Sequence, residues 1–172
     1  MTLRRLLPIV LCLPLLLAGC ATTNGGTVQA DCLSGYRAPD LINLQTRLDA
    51  ARARWASANT LNYRYELSFY AEPSPGGAYR YEVAEGRVTS VTPLTERTPT
   101  PSDPSFGSIP DRFDEVQRYI NAERTRPAAD CHFIEVTFDP ADGHVATLDG
   151  GYLSPNIADG GGGYQITHFT RL

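Results

Sequence analysis

The chain contains no lysine, so each of its 15 basic residues is an arginine. The arginines are scattered along the sequence, and we interpret the missing lysine as a matter of genome composition. Against 19 acidic residues, the formal net charge is −4. Nucleic-acid binding needs a basic patch or stripe, and electrostatic binding to anionic lipid needs a cluster of positive charges. The charge balance therefore argues against both kinds of partner.

Long apolar runs are also missing after the first twenty residues. The run from Leu6 to Leu17 contains Pro8 and Pro14, and it is shorter than the roughly 20 residues that a membrane-spanning helix needs. It follows Arg4 and Arg5 and ends in small residues, which is the pattern of a secretory signal peptide. The sequence therefore predicts an exported protein without a spanning helix.

The motif Leu17-Ala18-Gly19-Cys20 resembles the lipobox of a bacterial lipoprotein signal. The resemblance implies a diacylglycerol on the Cys20 thiol, cleavage before Cys20, and a fatty acid such as palmitate on the new amine. Residues 1–19 would then be a removed signal peptide, 20–39 a lipidated cysteine with a flexible tether, and 40–172 a single domain. Since two or more acyl chains anchor stably, we expect the chain on the cell membrane or outer membrane, facing the periplasm or exterior.

Cysteine is scarce, with four residues in the chain. Cys12 would leave with the signal and Cys20 would carry lipid, so Cys32 and Cys131 remain. Exported compartments are oxidising, and the sequence therefore predicts a Cys32–Cys131 disulfide. Two free buried thiols or half of a metal site are the alternatives, but no Cys-x-x-Cys pair is present and His132 is the nearest further ligand type.

Two helices are predicted from capping residues and apolar spacing. Asp40 caps the first helix and Asn59 ends it, and the second begins at Ser108 with Asp111 completing a short capping box. The first helix carries its apolar stripe at Leu41, Leu44, Leu48, Ala51 and Trp55, and the second at Phe113, Val116 and Ile120.

Six strands are predicted in two groups of three. Residues 61–70 alternate between apolar and polar, and 78–84 with 87–92 form a hairpin on Glu85-Gly86 that pairs Val83 with Val88 and Tyr81 with Ser90. The second group is 131–138, 144–149 and 164–171, with an Asp-Pro turn at 139–143. The short links favour an α+β fold of order α-βββ-α-βββ, an antiparallel sheet with both helices on one face.

Motifs for catalysis are missing as well. There is no Gly-x-Ser-x-Gly, and Cys131 and His132 would point to opposite faces of a strand. His132 and His144 would lie roughly 20 Å apart at opposite ends of their hairpin, so they do not share a metal. Asp139 to Gly143 lacks the spacing and closing glutamate of a calcium loop, and glycines 160–163 lack the Lys-Ser/Thr of a phosphate loop. The sequence therefore predicts no catalytic residue, no cofactor and no metal site.

Tyrosine, in contrast, is abundant, with nine residues in the chain. Tyr63, Tyr65, Tyr79 and Tyr81 would share one face of the sheet, and tyrosine suits interfaces. If that face is open, these four rings form a candidate ligand surface. The alternative places them beneath the helices.

The order of several motifs resembles small bacterial lipoprotein domains of unknown function over roughly 45–170. The matching features are a tryptophan helix (Trp55), Asn62-Tyr63-Arg64-Tyr65, the hairpin 85–91, the helix start 108–114, the Asp-Pro turn after Val136-Thr137-Phe138, and a closing Gly-Tyr-x-Ile. Many members carry cysteines after Tyr-x-Tyr, where this chain has Leu67 to Tyr70, so no role of those cysteines is carried over.

These observations lead us to expect a lipid-anchored envelope lipoprotein whose domain is not an enzyme. Its partners would be the membrane, through the lipid on Cys20, and an envelope protein, a peptide or a small ligand. Two alternatives stay open: an envelope hydrolase that uses His132, His144 or the acids near 139–149, and a structural component of the envelope.

Overall fold

A computed structural model of the protein describes residues 32–71, 74–96, 107–127, 130–155 and 160–172. The predicted signal peptide and the lipobox cysteine Cys20 lie outside these residues. The elements are α1 Leu41–Ala58, β1 Tyr63–Ala71, β2 Ser74–Ala84, β3 Arg87–Pro93, α2 Ile109–Glu123, β4 His132–Phe138, β5 Val145–Tyr152 and β6 Gly162–Arg171. The strands form one antiparallel sheet in the order β3-β2-β1-β6-β5-β4. The predicted α+β class and element order are confirmed.

Both helices begin at the predicted capping residues. The Asp40 carboxylate accepts a hydrogen bond of 3.0 Å from the backbone N–H of Asn43, and α1 ends at Asn59 in a left-handed conformation. At the start of α2, the Asp111 carboxylate accepts from the backbone N–H of Ser108 at 2.6 Å and from its hydroxyl at 2.7 Å. These bonds satisfy donors that a helix start otherwise leaves unpaired.

The two helices pack on one face of the sheet, as predicted, and a single core lies between them and the strands. Trp55 of α1 meets the ring of Tyr63 edge-on at 5.3 Å between centroids, and Phe113 of α2 lies 6.5 Å from the same indole. The core is built from the predicted apolar stripes of both helices, except Leu41 at the start of α1, and from alternate residues of the strands. Because both helices lie on this face, the opposite face of the sheet is left to solvent.

The hairpin between β2 and β3 turns on Glu85-Gly86, as predicted. Both residues have positive φ, 52° and 75°, which is the backbone twist that a two-residue hairpin favours. The first predicted pair, Val83 with Val88, is present.

One residue further from this turn, the register departs from the prediction. Tyr81 lies opposite Val91 instead of Ser90, since a bulge shifts the pairing between Glu82 and Val83. A bulge sets two residues of one strand against one of the other, and no local pattern in the hairpin marked it.

Strand β2 starts earlier than predicted, because the Pro-Ser-Pro-Gly-Gly stretch at 73–77 is not a turn throughout. The strand begins at Ser74 and pairs there with Ala71. A Cβ on Gly76 would lie 2.3 Å from the carbonyl oxygen of Phe69, so only glycine allows β2 to run this close to β1.

The turn between β4 and β5 lies at 139–143, as predicted. The Asp139 carboxylate accepts from the backbone N–H of Ala141 at 2.8 Å, and Gly143 has a φ of 86°. A Cβ on Gly143 would lie 2.4 Å from the carbonyl oxygen of Ala51 in α1. The glycine therefore serves the turn and also lets the hairpin pack against the helix backbone.

The structure contains the predicted Cys32–Cys131 disulfide, with 5.4 Å between the two Cα atoms. Beside it, the backbone N–H of Leu33 donates to the carbonyl of Leu153 at 2.7 Å, and the Tyr36 hydroxyl donates to the carbonyl of His132 at 3.1 Å. Cys32, Leu33 and Tyr36, which lie within the predicted tether of residues 20–39, are therefore bonded to the domain.

Candidate functional site

The face of the sheet opposite the helices, which we call the open face, is solvent-exposed. Its side chains come from the residues that alternate with the core positions of each strand, and most are polar. Those classed as exposed include Arg64, Ser68, Tyr70, Glu82, Glu135, Thr137 and Gln165. The open face is therefore the largest surface on which the strands themselves can present side chains to a partner.

A shallow basin of about 410 Å³ lies on the open face and extends from β1 across β6 and β5 to β4. One polar row crosses its floor, because the register sets Ser68 beside Gln165, Gln165 beside Thr147 and Thr147 beside Thr137. The hydroxyls of Thr137 and Thr147 are 2.6 Å apart. The floor therefore offers hydroxyl and amide groups, each able to donate and accept hydrogen bonds.

A second row in the basin sets two carboxylates beside a phenol. Glu135 lies opposite Asp149, Asp149 opposite Gly163, and Gly163 opposite Tyr70. Because Gly163 carries no side chain, the Tyr70 hydroxyl reaches across β6 and donates to the Asp149 carboxylate. Like charges directly opposite each other destabilise an antiparallel pair. The facing carboxylates therefore do not stabilise the pairing of β4 with β5, and they make this side of the basin negative.

A charged cluster lies next to the basin. The Arg80 guanidinium is 2.7 Å from one carboxylate oxygen of Glu66, and Nδ1 of His168 is 2.9 Å from the other. The hydrogen bond from Arg80 is the main cause of a lowered pKa at Glu66, with burial opposing it and His168 adding to it. Glu66 is therefore held ionised between the Arg80 guanidinium and the His168 ring.

The four tyrosines of the candidate ligand surface lie on the other face of the sheet. Tyr63, Tyr65, Tyr79 and Tyr81 are each at most 2% exposed, and the Tyr65 and Tyr81 rings stack at 4.7 Å. The Tyr63 hydroxyl accepts from the backbone N–H of Ile109 at 2.9 Å, so its polar end is satisfied by the start of α2. The alternative, with the rings beneath the helices, is the arrangement found, and these rings do not form an exposed ligand surface.

His132 lies in a separate cleft of about 190 Å³ at the end of α2. Its Nδ1 is 2.9 Å from the Glu123 carboxylate, and Nε of Arg126 is 2.8 Å from the same oxygen. The described residues that line the cleft include no serine, threonine or thiol. The imidazole therefore lies beside the glutamate between α2 and β4, and the described lining residues place no nucleophile of these types next to it.

His144 lies at the opposite end of β4, in the turn that joins β4 to β5. Ligand-type atoms of Asp139, Asp142 and His144 lie within 4.8 Å of one another. The Asp142 carboxylate is 2.6 Å from Nδ1 of His144, and that of Asp139 is bonded to turn backbone. These groups are engaged in holding the turn, and His132 and His144 do not share a site.

Tyr70 was not a predicted site residue, and Asp149 was a candidate only among the acids near 139–149 of the hydrolase alternative. One signal was available, since Tyr70 is an aromatic residue in phase with Arg64, Glu66 and Ser68 on the polar side of an alternating strand. The contact to Asp149 had no signal, because the two residues are 79 positions apart and meet only through the order of the strands.

Residues 47–171 match a family described as Family of unknown function (DUF6174). The match spans most of α1 and all six strands and leaves the predicted lipobox outside. The predicted resemblance to a family of unknown function over roughly 45–170 is thereby confirmed at that level. No curated protein and no solved structure matches the chain. Among the described residues, no helix has the length and apolar character to cross a membrane.

Proposed function

We propose, on the premise that this chain belongs to DUF6174, a family of unknown function, that it is a lipid-anchored binding domain of the cell envelope. The lipid is on Cys20, and the open face receives the partner. The observation that carries the binding role is the basin, which brings a tyrosine, facing carboxylates and a polar floor together on an uncovered sheet.

The chemistry of the basin supports binding more than it supports catalysis. An open face alone is ordinary for an antiparallel sheet, but the facing carboxylates of Glu135 and Asp149 weaken the pairing of β4 with β5. Tyr70, with 46% of its surface exposed, adds an aromatic ring beside them. Such a surface fits a peptide, protein loop or small ligand that presents hydrogen-bond donors, while His132 and His144 of the hydrolase alternative lie elsewhere in the fold.

The anchor is tested by replacing the lipobox cysteine. Cys20→Ser is expected to abolish incorporation of labelled palmitate, because the thiol that accepts the diacylglycerol is lost. Cys12→Ser changes a cysteine inside the predicted signal and is expected to leave labelling unchanged. Mass spectrometry of the wild-type chain should find an N-terminal peptide that starts at Cys20 and carries lipid. Equal labelling of both variants, or a chain that still starts at Met1, would refute the anchor.

The binding face is tested by blocking the basin. Ser68→Arg/Gln165→Arg introduces two long side chains on neighbouring exposed positions of the floor. We expect at least a tenfold lower recovery of partner from solubilised envelope, which corresponds to about 1.4 kcal/mol of binding free energy. Ala50→Arg, on the exposed side of α1, is the matched control and should recover the partner as the wild type does. Recovery of nothing by the wild type, or equal recovery by both variants, would favour the structural alternative.

A further inference from the structure

The disulfide places the predicted tether at one end of the domain. Cys131 directly precedes β4, and the antiparallel register brings the last residue of β5, Tyr152, opposite the first of β4, His132. The first residue of β6 and the last of β1, Gly162 and Ala71, pair on the same side. We call this side the tether end. The opposite side, with the turns at 85–86 and 139–143, is the hairpin end.

Three bonds hold the chain at the tether end before α1 begins. Besides the disulfide, Leu33 is bonded to the backbone of Leu153 and Tyr36 to that of His132. Residue 32 is therefore the point at which the domain is held, although α1 starts nine residues later. Without these bonds, the helix start would be the first fixed point.

For a flexible chain of this length, the r.m.s. reach from the lipid to this point is roughly 20 Å, which is less than the length of the domain. Eleven residues separate Cys20 from Cys32, and an extended chain spans at most 3.3–3.6 Å per residue, so Cys32 lies within about 40 Å of the lipid. Strand β1 has nine residues, which at the usual strand rise is a length of about 30 Å. The hairpin end can therefore lie about 30 Å further from the membrane than the tether end.

The tether end also has a surface that suits contact with lipid headgroups. Ile42 is 83% and Leu33 47% exposed, and Tyr36, Pro39, Leu41 and Pro127 line the neighbouring cleft. The charges there are mixed, since Arg126 lies 2.8 Å from Glu123 and 3.8 Å from Asp130. Contact at this end would thus be apolar and independent of lipid charge, in agreement with the acidic balance of the chain.

We propose that the tether end lies against the lipid surface and that the Cys32–Cys131 disulfide fixes this orientation. The strands then point away from the membrane, and the open face stands beside the membrane, accessible from the side. This inference rests on the proposed function, because it takes Cys20 to be acylated. It goes beyond that function by stating which surface of the domain the membrane covers and which it leaves free.

The orientation is tested with the full acylated chain in vesicles of phosphatidylethanolamine and phosphatidylglycerol that contain a headgroup nitroxide lipid. Ile42→Trp and Leu61→Trp each add a tryptophan at an exposed apolar position, one at each end of the domain. The parent chain has one tryptophan, the buried Trp55, which gives the background. We expect nitroxide quenching to be at least about twofold stronger for Ile42→Trp, because the other position is about 30 Å further from the lipid.

Equal quenching, or stronger quenching of Leu61→Trp, would overturn the orientation as long as the chain sediments with the vesicles. If the acylated chain does not sediment with the vesicles, the proposed anchor is wrong instead. The unacylated reference for sedimentation is the Cys20→Ser chain expressed without residues 1–19. Adding Cys32→Ala/Cys131→Ala to both variants should reduce the difference in quenching. Circular dichroism of the double variants must match that of the parent chain, and an unchanged difference in quenching would then overturn the role of the bridge and leave the orientation standing.

Discussion

Replacing both bridge cysteines, Cys32→Ala/Cys131→Ala, is expected to lower the free energy of unfolding by about 4 kcal/mol. The bridge closes a segment with a sequence separation of 99 residues, which contains both helices and the first three strands. Cross-linking such a segment removes many conformations from the unfolded chain. In the chain-entropy account, a loop of this length gives about 4.7 kcal/mol.

The backbone conformation of Cys131 in the folded protein reduces the expected loss of stability somewhat. Its φ is 51°, a left-handed conformation that non-glycine residues adopt at a cost of about 1 kcal/mol or more. The bridge holds the residue there, and its removal lets the backbone relax. The expected net loss therefore lies slightly below the entropic value.

The measurement is urea unfolding of residues 20–172 with Cys20→Ser, with and without reductant. Reduction should destabilise this chain to the level of the double variant, and the double variant should not respond to reductant. Thiol labelling of the unfolded, unreduced protein should detect no free cysteine. Two labelled thiols, or equal unfolding midpoints in both conditions, would contradict a stabilising bridge.

The parts of this fold that sequence predicted are those whose signals are local. Asp40 and Asn59 mark the ends of α1 because capping acts within one helical turn. Glu85-Gly86 marks a hairpin because the positive φ values are a property of the two residues themselves. Alternation in β1 likewise shows which side chains share a face, since the strand period is two.

Alternation does not show which of the two faces is covered. Tyr63 and Tyr65 share a face whether that face is open or lies beneath the helices, and the choice depends on where α1 and α2 pack. The candidate ligand surface was placed on the tyrosine face for this reason, while the open face carries the polar residues between them. The exposed side of such a strand follows only from the positions at which the helices pack.

The basin could not be predicted from local sequence patterns, because it is formed by strands that are distant in sequence. Ser68 meets Gln165 only because β1 pairs with β6. Asp149 meets Tyr70 only because β6 pairs with both β1 and β5. Several strand orders are compatible with six short antiparallel strands, and each would place different polar residues side by side. The site therefore follows from topology, and its residues had no distinguishing spacing in the sequence.

Arg112 is a further residue that local pattern did not identify, because a charged residue in an amphipathic helix is expected on its exposed side. Its side chain is 1% exposed and lies 2.8 Å from the Glu115 carboxylate. Its guanidinium carbon lies 5.6 Å from the centre of the Tyr164 ring. A Cβ on Gly107 would be 2.7 Å from the guanidinium, so this glycine makes room for the buried arginine.

The surroundings keep this arginine charged inside the core. Burial lowers the pKa of Arg112, but the electrostatic surroundings, chiefly the Glu115 carboxylate, raise it by more. Burial also raises the pKa of Tyr164, so that hydroxyl stays neutral. A buried charge of this kind is held by its partners, and removing one member leaves the other without compensation.

Arg112→Met is therefore expected to lower the free energy of unfolding by about 3 kcal/mol, at the lower end for a buried pair because Glu115 keeps some contact with water. For a domain of this size, the melting temperature should fall by roughly 6–12 °C. Calorimetry or thermal circular dichroism measures both quantities. Methionine keeps the length and apolar stem of the side chain, so the loss reports mainly on the charge and its hydrogen bonds.

The matched control is Arg52→Met, which removes an arginine of similar geometry from the surface. Arg52 is 2.9 Å from Asp114 with side chains 34% and 69% exposed, and such pairs contribute roughly 0–1 kcal/mol. Adding Glu115→Gln to Arg112→Met should recover part of the loss, because the uncompensated carboxylate is then removed. Equal small losses for Arg112→Met and Arg52→Met would mean that the buried arginine is not held by its pairing with Glu115. The core would then owe its stability to apolar packing around Tyr65 and Tyr164.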